Sequence, residues 1–192
     1  MAVRLSHTDA RGRVRMVDVG GKAETEREAV ATAAVRMSRE TLALALGRGP
    51  LSAASSPGRP HVSKGDVVAT ARVAAIAALK RTSDWIPLCH PVRLVGSGVD
   101  IEGDSRLPGI RVRVTARAFD RTGVEMEAMV GAAAAALTIY DMVKGVERGV
   151  EIVSVRLEEK RGGRTGTWRR DAAPAVTLSQ PRTSNKAPRN KA

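Results

Sequence analysis

The chain has 192 residues, a length that suits one domain of ordinary size with short extensions. Hydrophobic residues make up 43% and aromatic residues only 2%, so the core must consist of aliphatic side chains and alanine. The formal net charge of +12 favours an anionic partner such as nucleic acid, an anionic membrane or a phosphorylated small molecule. A single cysteine excludes an internal disulfide and a thiolate cluster for a metal.

Much of the positive charge lies near the C-terminus. Residues 169–192 carry six Lys or Arg and one Asp, a net charge of +5, which leaves +7 for the remainder. This composition predicts a basic disordered tail after a domain at residues 13–168 and a flexible N-terminus at residues 1–12. The chain shows no secretory signal, and its longest apolar run is too short to span a bilayer, so we expect a cytoplasmic protein without a membrane partner.

The first part of the chain is predicted to form one strand and one helix. Residues 13–19 alternate apolar and polar side chains as a strand does. Thr25 and Glu28 stand at capping-box spacing, which predicts a helix that continues to about Leu46. Residues 49–63 are rich in Gly, Ser and Pro and are expected to form a flexible loop in solvent.

A second helix is predicted over residues 67–81. Its Ser-x-x-Asp start at residues 63–66 places Lys64 beside free backbone N–H groups, an arrangement that suits a phosphate. A single lysine at such a position is more often only solvated.

The segment after this helix contains two prolines and a histidine. Pro87 and Pro91 predict a stiff, extended loop around Leu88, Cys89 and His90. Stiffness helps to aim a histidine, which titrates near neutral pH, although a lone histidine is more often structural. Cys89 and His90 alone are too few ligands for a zinc site, so we expect no metal site.

The remaining sequence predicts a hairpin, a long helix and a final strand. Residues 92–102 and 110–120 alternate as two strands, and residues 150–157 as the last strand. A capping box at residues 122–125 begins an alanine-rich helix that continues to Lys144.

Asp141 and Lys144 share one face of that helix, because residues three apart are neighbours. A surface ion pair is the simplest interpretation of the two. Residues 160–164 are basic and glycine-rich, a composition that can wrap phosphates. The order of elements predicts an α+β fold close to ferredoxin-like, with an antiparallel sheet and helices packed on one face.

Six motifs along the chain resemble those of one family, the cyclic pyranopterin monophosphate synthases of molybdenum cofactor biosynthesis. The resemblance covers about residues 5–168 in order, apart from one insertion. The matching segments are Met16-Val-Asp-Val19, Lys22-Ala-Glu-Thr25 with Arg27-Glu28-Ala29, Lys64-Gly-Asp-Val67 with Ala69-Thr-Ala-Arg72, Ile86-Pro-Leu-Cys-His-Pro91, Thr122-Gly-Val-Glu-Met-Glu-Ala128, and Ala136-Leu-Thr-Ile-Tyr-Asp-Met142 with Lys144.

The resemblance implies a lyase. Its substrate is 3′,8-cyclo-7,8-dihydro-GTP, and its products are cyclic pyranopterin monophosphate and diphosphate. Cationic side chains suit the triphosphate and the departing diphosphate. Opening the purine ring and closing a pterin requires proton transfers, and therefore acids and bases with tuned pKa values.

The same resemblance implies the site residues. The catalytic residues implied are Asp141 as acid or base, with Lys64 and Lys144 as essential lysines. The substrate-binding residues implied are Leu88, Cys89, His90, Met126, Glu127, Glu125, Arg27 and Lys160. Whether Glu125 caps its helix or takes part in the chemistry is left open by the sequence.

The resemblance also implies a homohexamer, a trimer of dimers, in which two subunits build each pocket. No tightly bound cofactor is expected, although Mg²⁺ on the substrate triphosphate is chemically reasonable. Three alternatives remain: a nucleic-acid-binding module, an inactive relative, and an enzyme with another phosphorylated substrate. The scarcity of aromatic residues for base stacking disfavours nucleic acid as a partner.

Overall fold

A computed structural model describes residues 7–9, 11–47 and 66–171 of the chain. The predicted loop at residues 49–63, Lys64, and the predicted tail from residue 172 onward lie outside these residues. In chain order the elements are β1 (Thr25–Arg36), α1 (Arg39–Ala45), α2 (Val67–Leu79), α3 (Thr82–Trp85), β2 (Leu94–Asp104), β3 (Gly109–Asp120), α4 (Glu125–Val143), β4 (Glu151–Arg161) and β5 (Trp168–Arg169).

The five strands form one antiparallel sheet in the order β2-β3-β1-β4-β5. Helix α4 packs on β1, β3 and β4, and α2 packs on α4 and β2. The helices therefore cover one face of the sheet, which confirms the predicted α+β, ferredoxin-like class. The β2–β3 hairpin and the last long strand are also confirmed, while the pairing of Trp168–Arg169 with β4 was not predicted.

The prediction for the first part of the chain is wrong. Residues 13–19 form no strand beyond an isolated bridge between Val14 and Thr8. The segment Thr25–Arg36, predicted as the start of a helix, is instead the central strand β1. Residues on both faces of β1 are buried, and alanine occupies positions on each, so the sequence does not show the alternation of a half-exposed strand. Strand pairing here overrides the helix propensity of alanine.

Both predicted capping boxes are also wrong. Thr25 lies in a strand, and α4 begins after Val124 with no side-chain cap. Helix α2 begins at Val67 as predicted, and its N-cap is Asp66, whose carboxylate accepts a hydrogen bond from the Ala69 backbone N–H at 2.9 Å. Glu125 is therefore not committed to the reciprocal hydrogen bonds of a capping box.

Helix α4 is the core helix of the domain. Eleven of its residues are buried, among them Ala132, Ala135 and Ile139. A Cβ atom on Gly131 would lie 3.1 Å from Val114 Cγ1 and 3.4 Å from the Ala75 carbonyl oxygen, so the small residues allow close packing of helix against sheet and helix. At 19 residues the helix is longer than the apolar run seen in the sequence, and by length and composition it could cross a membrane, which corrects the expectation that this stretch is too short. However, 61% of that stretch is buried in the fold, as in a core helix.

Candidate active site

Two adjoining cavities lie where β3 leads into α4. Their volumes are about 600 Å³ and 410 Å³. Both are lined by Lys22, Thr122, Gly123 and Glu125, so the two cavities meet along a shared wall. We call the larger one the cationic cavity and the smaller one the acidic cavity, after the side chains described below.

The cationic cavity gathers positive charge from three separate parts of the chain. Six cationic and two acidic side chains line it. The cationic ones are Lys22, Arg27, Arg121, Lys160, Arg161 and Arg164. Arg161 pairs with Glu28 and Glu159, and Arg121 pairs with Glu24 at 3.7 Å. Within the described ranges the other four form no ion pair, so their charge is available to a polyanionic ligand.

Arg27 is held by the corner between β3 and α4. Its Nε donates to the Asp120 carbonyl oxygen at 3.2 Å, and its Nη2 donates to the Arg121 carbonyl oxygen at 3.4 Å. The guanidinium is a rigid fork of five donors, so these two bonds fix its plane. Arg27 comes from β1 and not from the first turn of a helix, where the sequence had placed it.

The basic, glycine-rich segment predicted at residues 160–164 leaves the sheet at the end of β4 and lines the cationic cavity. The Lys160 ammonium donates to the hydroxyl of Thr165. Gly162 and Gly163 have φ angles of 88° and 73°, values that glycine adopts without a steric penalty. The turn keeps the end of the strand and its basic side chains beside Arg27.

The acidic cavity is formed by the start of α4 and the segment that follows α3. Leu88, Cys89 and His90 line it from one side, and Met126 and Glu127 from the other. The first part of residues 85–91 is less extended than predicted, since Trp85 ends helix α3 and the Cys89 N–H closes a turn to the Ile86 carbonyl at 3.0 Å.

Glu127 is the buried acid of this cavity, with a side chain that is only 4% exposed. Burial raises its pKa to about 7, and the nearby carboxylates of Glu125 and Asp120 act in the same direction. Burial and the charge of Glu127 also raise the pKa of the Cys89 thiol. Glu127 is thus poised to exchange a proton near neutral pH, whereas Cys89 stays a thiol.

Asp141 and Lys144 lie near the other end of α4. Asp141 is sixteen positions beyond Glu125, about 24 Å along the helix axis. The Lys144 Nζ and Asp141 Oδ1 atoms are 2.6 Å apart, and each side chain is about half exposed. The predicted surface ion pair is therefore present, and it raises the pKa of Lys144. Neither residue lines the two cavities.

The fold thus brings together eight of the eleven residues that the resemblance implies. Arg27, Glu125 and Lys160 line the cationic cavity, and five others with Glu125 line the acidic one. Lys64 lies outside the described residues. Several other lining residues were not among the implied site residues, including Lys22, Arg121, Arg164 and His7.

Three of the missed residues carried a signal. Lys22 lies inside a family motif, Arg164 lies inside the basic, glycine-rich segment at residues 160–164, and Arg121 directly precedes the motif at residues 122–128. His7 carried none, because its proximity depends on how the N-terminal segment crosses the site. In the part of the chain that the structure describes, no three His, Cys, Asp or Glu side chains are grouped to hold a metal ion.

Comparison with known proteins identifies the family. A sequence model of the MoaC family matches residues 16–163. Proteins named cyclic pyranopterin monophosphate synthase from Brucella ovis, Brucella melitensis and Brucella abortus are each 54% identical to this chain over 168 residues, which cover 88% of the chain and 94% of each relative. These matches confirm the family predicted from the six motifs: the chain belongs to the MoaC family.

Proposed function

We propose that the chain is a cyclic pyranopterin monophosphate synthase, a lyase of molybdenum cofactor biosynthesis. It converts 3′,8-cyclo-7,8-dihydro-GTP to cyclic pyranopterin monophosphate and releases diphosphate. The observation that carries the proposal is the junction of the two cavities at Glu125 and Lys22, in a chain of this family. A nucleotide triphosphate has a polyanionic end and a ring end, and the two cavities match them.

The cationic cavity binds the triphosphate. Arg27, Lys160, Lys22 and Arg164 approach it from separate elements and have no acidic partner in the described chain. Cations held in place before the reaction stabilise the charge that develops on the departing diphosphate. The guanidinium of Arg27, fixed by two backbone carbonyls, is already oriented for this task.

The acidic cavity binds the ring system and moves protons. Glu127, with a pKa of about 7, is able both to donate and to accept a proton at physiological pH. His90 lines the same cavity, and Leu88 and Met126 supply the apolar wall that a flat ring requires. Glu125, on the shared wall, lies between the ring and the phosphates.

A second copy of the chain completes the site. Asp141, Lys144 and Lys64 are the catalytic residues that the resemblance implies, yet Asp141 and Lys144 lie outside the cavities of their own chain. Exposed apolar side chains on two helices, Leu137 of α4 and Val73 of α2, support contact with another copy. A homohexamer, a trimer of dimers, satisfies this requirement.

The proposal includes no tightly bound cofactor; Mg²⁺ carried on the substrate triphosphate would neutralise charge on the departing diphosphate. Water-bound Mg²⁺ on phosphate oxygens needs few protein ligands. The enzyme works in the cytoplasm, on a small-molecule nucleotide rather than on nucleic acid.

A coupled assay tests the proposal. The cyclised nucleotide is generated from GTP by a radical enzyme and given to the purified chain, and the products are identified by mass spectrometry. Equal amounts of cyclic pyranopterin monophosphate and diphosphate are expected. A folded oligomer that consumes no nucleotide would favour an inactive relative, and one that turns over only another phosphorylated substrate would favour a different enzyme.

A further inference from the structure

The guanidinium of Arg27 lies so close to the Gly163 backbone that any residue with a side chain at position 163 would collide with it. A Cβ atom on Gly163 would lie 1.7 Å from Nη1 of Arg27 and 3.0 Å from its Cζ. Both residues line the cationic cavity. The space that a methyl group would need is therefore the space that the guanidinium occupies.

The neighbouring contacts explain why this space matters. Arg27 Nε and Nη2 donate to the carbonyl oxygens of Asp120 and Arg121, which fixes one edge of the fork. Nη1, at the opposite edge from Nε, faces the Gly163 backbone. A side chain at position 163 would displace Nη1, and because the guanidinium is rigid, that displacement moves the whole plane and disturbs its bonds to the two corner carbonyls.

We infer that Gly163 is a positioning residue for the phosphate-binding Arg27. The absence of a side chain at position 163 lets the guanidinium lie in the one orientation that satisfies both corner carbonyls and still faces the cavity. Gly163 acts only through Arg27 and does not itself supply a side chain to the ligand. This inference rests on the proposed function for its kinetic consequence, but not for its structural one.

The backbone conformation is a second reason for glycine at this position. Another glycine of the chain allows the two reasons to be tested separately. Gly163 has a φ of 73°, where any L-residue is strained. Gly166, three residues later, has a φ of 62°, and a Cβ atom there would meet nothing within 4 Å. Gly166 lines neither cavity. Gly166→Ala thus carries the backbone strain without the contact to Arg27, and is the matched control.

The kinetic test compares Gly163→Ala, Gly166→Ala, Arg27→Ala and the double variant Gly163→Ala/Arg27→Ala. Gly163→Ala is expected to raise KM for the cyclised nucleotide, and Kd for inorganic triphosphate, about tenfold, the value of one hydrogen bond to a charged group. Gly166→Ala is expected to change both constants less than about twofold. In the Arg27→Ala background the Gly163 substitution should add less than about twofold, because the two act through one group.

An NMR measurement tests the inference independently of the proposed function. The NMR signal of the Arg27 Nε–H group, assigned by its loss in Arg27→Lys, should be protected from solvent exchange in the wild type and in Gly166→Ala, and unprotected in Gly163→Ala. If the wild type has no activity, the proposed function fails while this comparison still decides the role of Gly163.

Several results would overturn the inference. Equal constants for Gly163→Ala and Gly166→Ala would assign the glycine to backbone strain alone. A full tenfold effect of Gly163→Ala in the Arg27→Ala background would show that Gly163 does not act through Arg27. If Gly163→Ala does not fold, Gly163→Asn replaces it, because asparagine tolerates positive φ best among the other residues. Failure of both, with Gly166→Ala folded, would make Gly163 a folding residue.

Discussion

Glu125 and Asp141 stand at opposite ends of one helix, α4, about 24 Å apart along its axis. The first lies on the wall between the two cavities, and the second forms an exposed ion pair with Lys144. The long alanine-rich helix thus carries family motifs at both ends but separates them within a single copy. Substitutions at the two ends of α4 are therefore expected to have different effects.

Substitution of Asp141 should remove activity without loss of stability. Its ion pair with Lys144 is exposed, and exposed pairs contribute little to the free energy of unfolding. Asp141→Asn is therefore expected to keep the thermal midpoint and the oligomeric state of the wild type. If Asp141 transfers a proton, kcat should fall by at least about a hundredfold. Turnover close to wild type would make the pair structural only.

The stability of the protein should depend on pH through Glu127. Its pKa is about 7 in the folded chain against an ordinary value of 4.5, so folding favours the protonated carboxyl. The stabilisation from this proton is complete below pH 4.5 and is lost as the pH rises to about 7. From pH 5 to pH 8 the wild type should lose about 2 kcal/mol in the free energy of unfolding relative to Glu127→Gln.

Urea denaturation of both proteins at several pH values measures this difference. Glutamine has nearly the shape of the protonated acid but cannot ionise, so it serves as the control for burial. Parallel pH profiles for the two proteins would mean that Glu127 is not the titrating group. A difference of opposite sign would mean that its pKa is lowered by folding.

We expect the main role of Lys160 to be phosphate binding. Its ammonium lies in the cationic cavity and donates to Thr165, whereas Lys80 lies at the exposed end of α2, outside both cavities. Lys160→Ala is expected to weaken the binding of inorganic triphosphate about tenfold by calorimetry, and Lys80→Ala less than twofold. Equal losses for the two variants would indicate that the ligand responds to overall charge alone.

Close packing of α4 predicts a steric effect at Gly131. A larger side chain there meets Val114 and the backbone of Ala75, both in the core. Gly131→Val is expected to lower the free energy of unfolding by about 2 kcal/mol, a typical cost of overpacking. Ala133→Val, at a less buried position of the same helix, should cost only about 0.5 kcal/mol, the helix-propensity difference between alanine and valine. A loss at Gly131 no larger than this would argue against overpacking.

The sequence predicts most clearly those strands that have one buried face and one solvated face. Strand β3 is the clearest case, because Ile110, Val112 and Val114 are fully buried while Arg111 and Arg113 between them are exposed. The prediction for β1 failed because both faces of this strand are buried. Val30 and Ala34 are buried on the face opposite to Ala29 and Ala31, so the segment showed no period of two.

The site was predictable only in part. The family motifs identified Arg27, Glu127 and residues 88–90 as site residues. They did not indicate which of these residues lie close together. Their assembly depends on strand pairings between distant parts of the chain, such as Arg27 with Ala118. No local pattern encodes such pairings, and for the same reason the contribution of His7 could not be foreseen.

Mixed oligomers test most directly whether one active site is built from two copies. Chains carrying Asp141→Asn and chains carrying Arg27→Ala are co-expressed with different tags, and oligomers that carry both tags are purified. If one copy supplies the cavities and another supplies Asp141, random pairing restores about one quarter of the sites, and turnover should recover to about that level. A mixture of Arg27→Ala and Lys160→Ala, both in the same cavity, should show no recovery above the two variants measured alone. No recovery in the first mixture would place Asp141 and Arg27 in the site of a single chain and contradict the two-copy site.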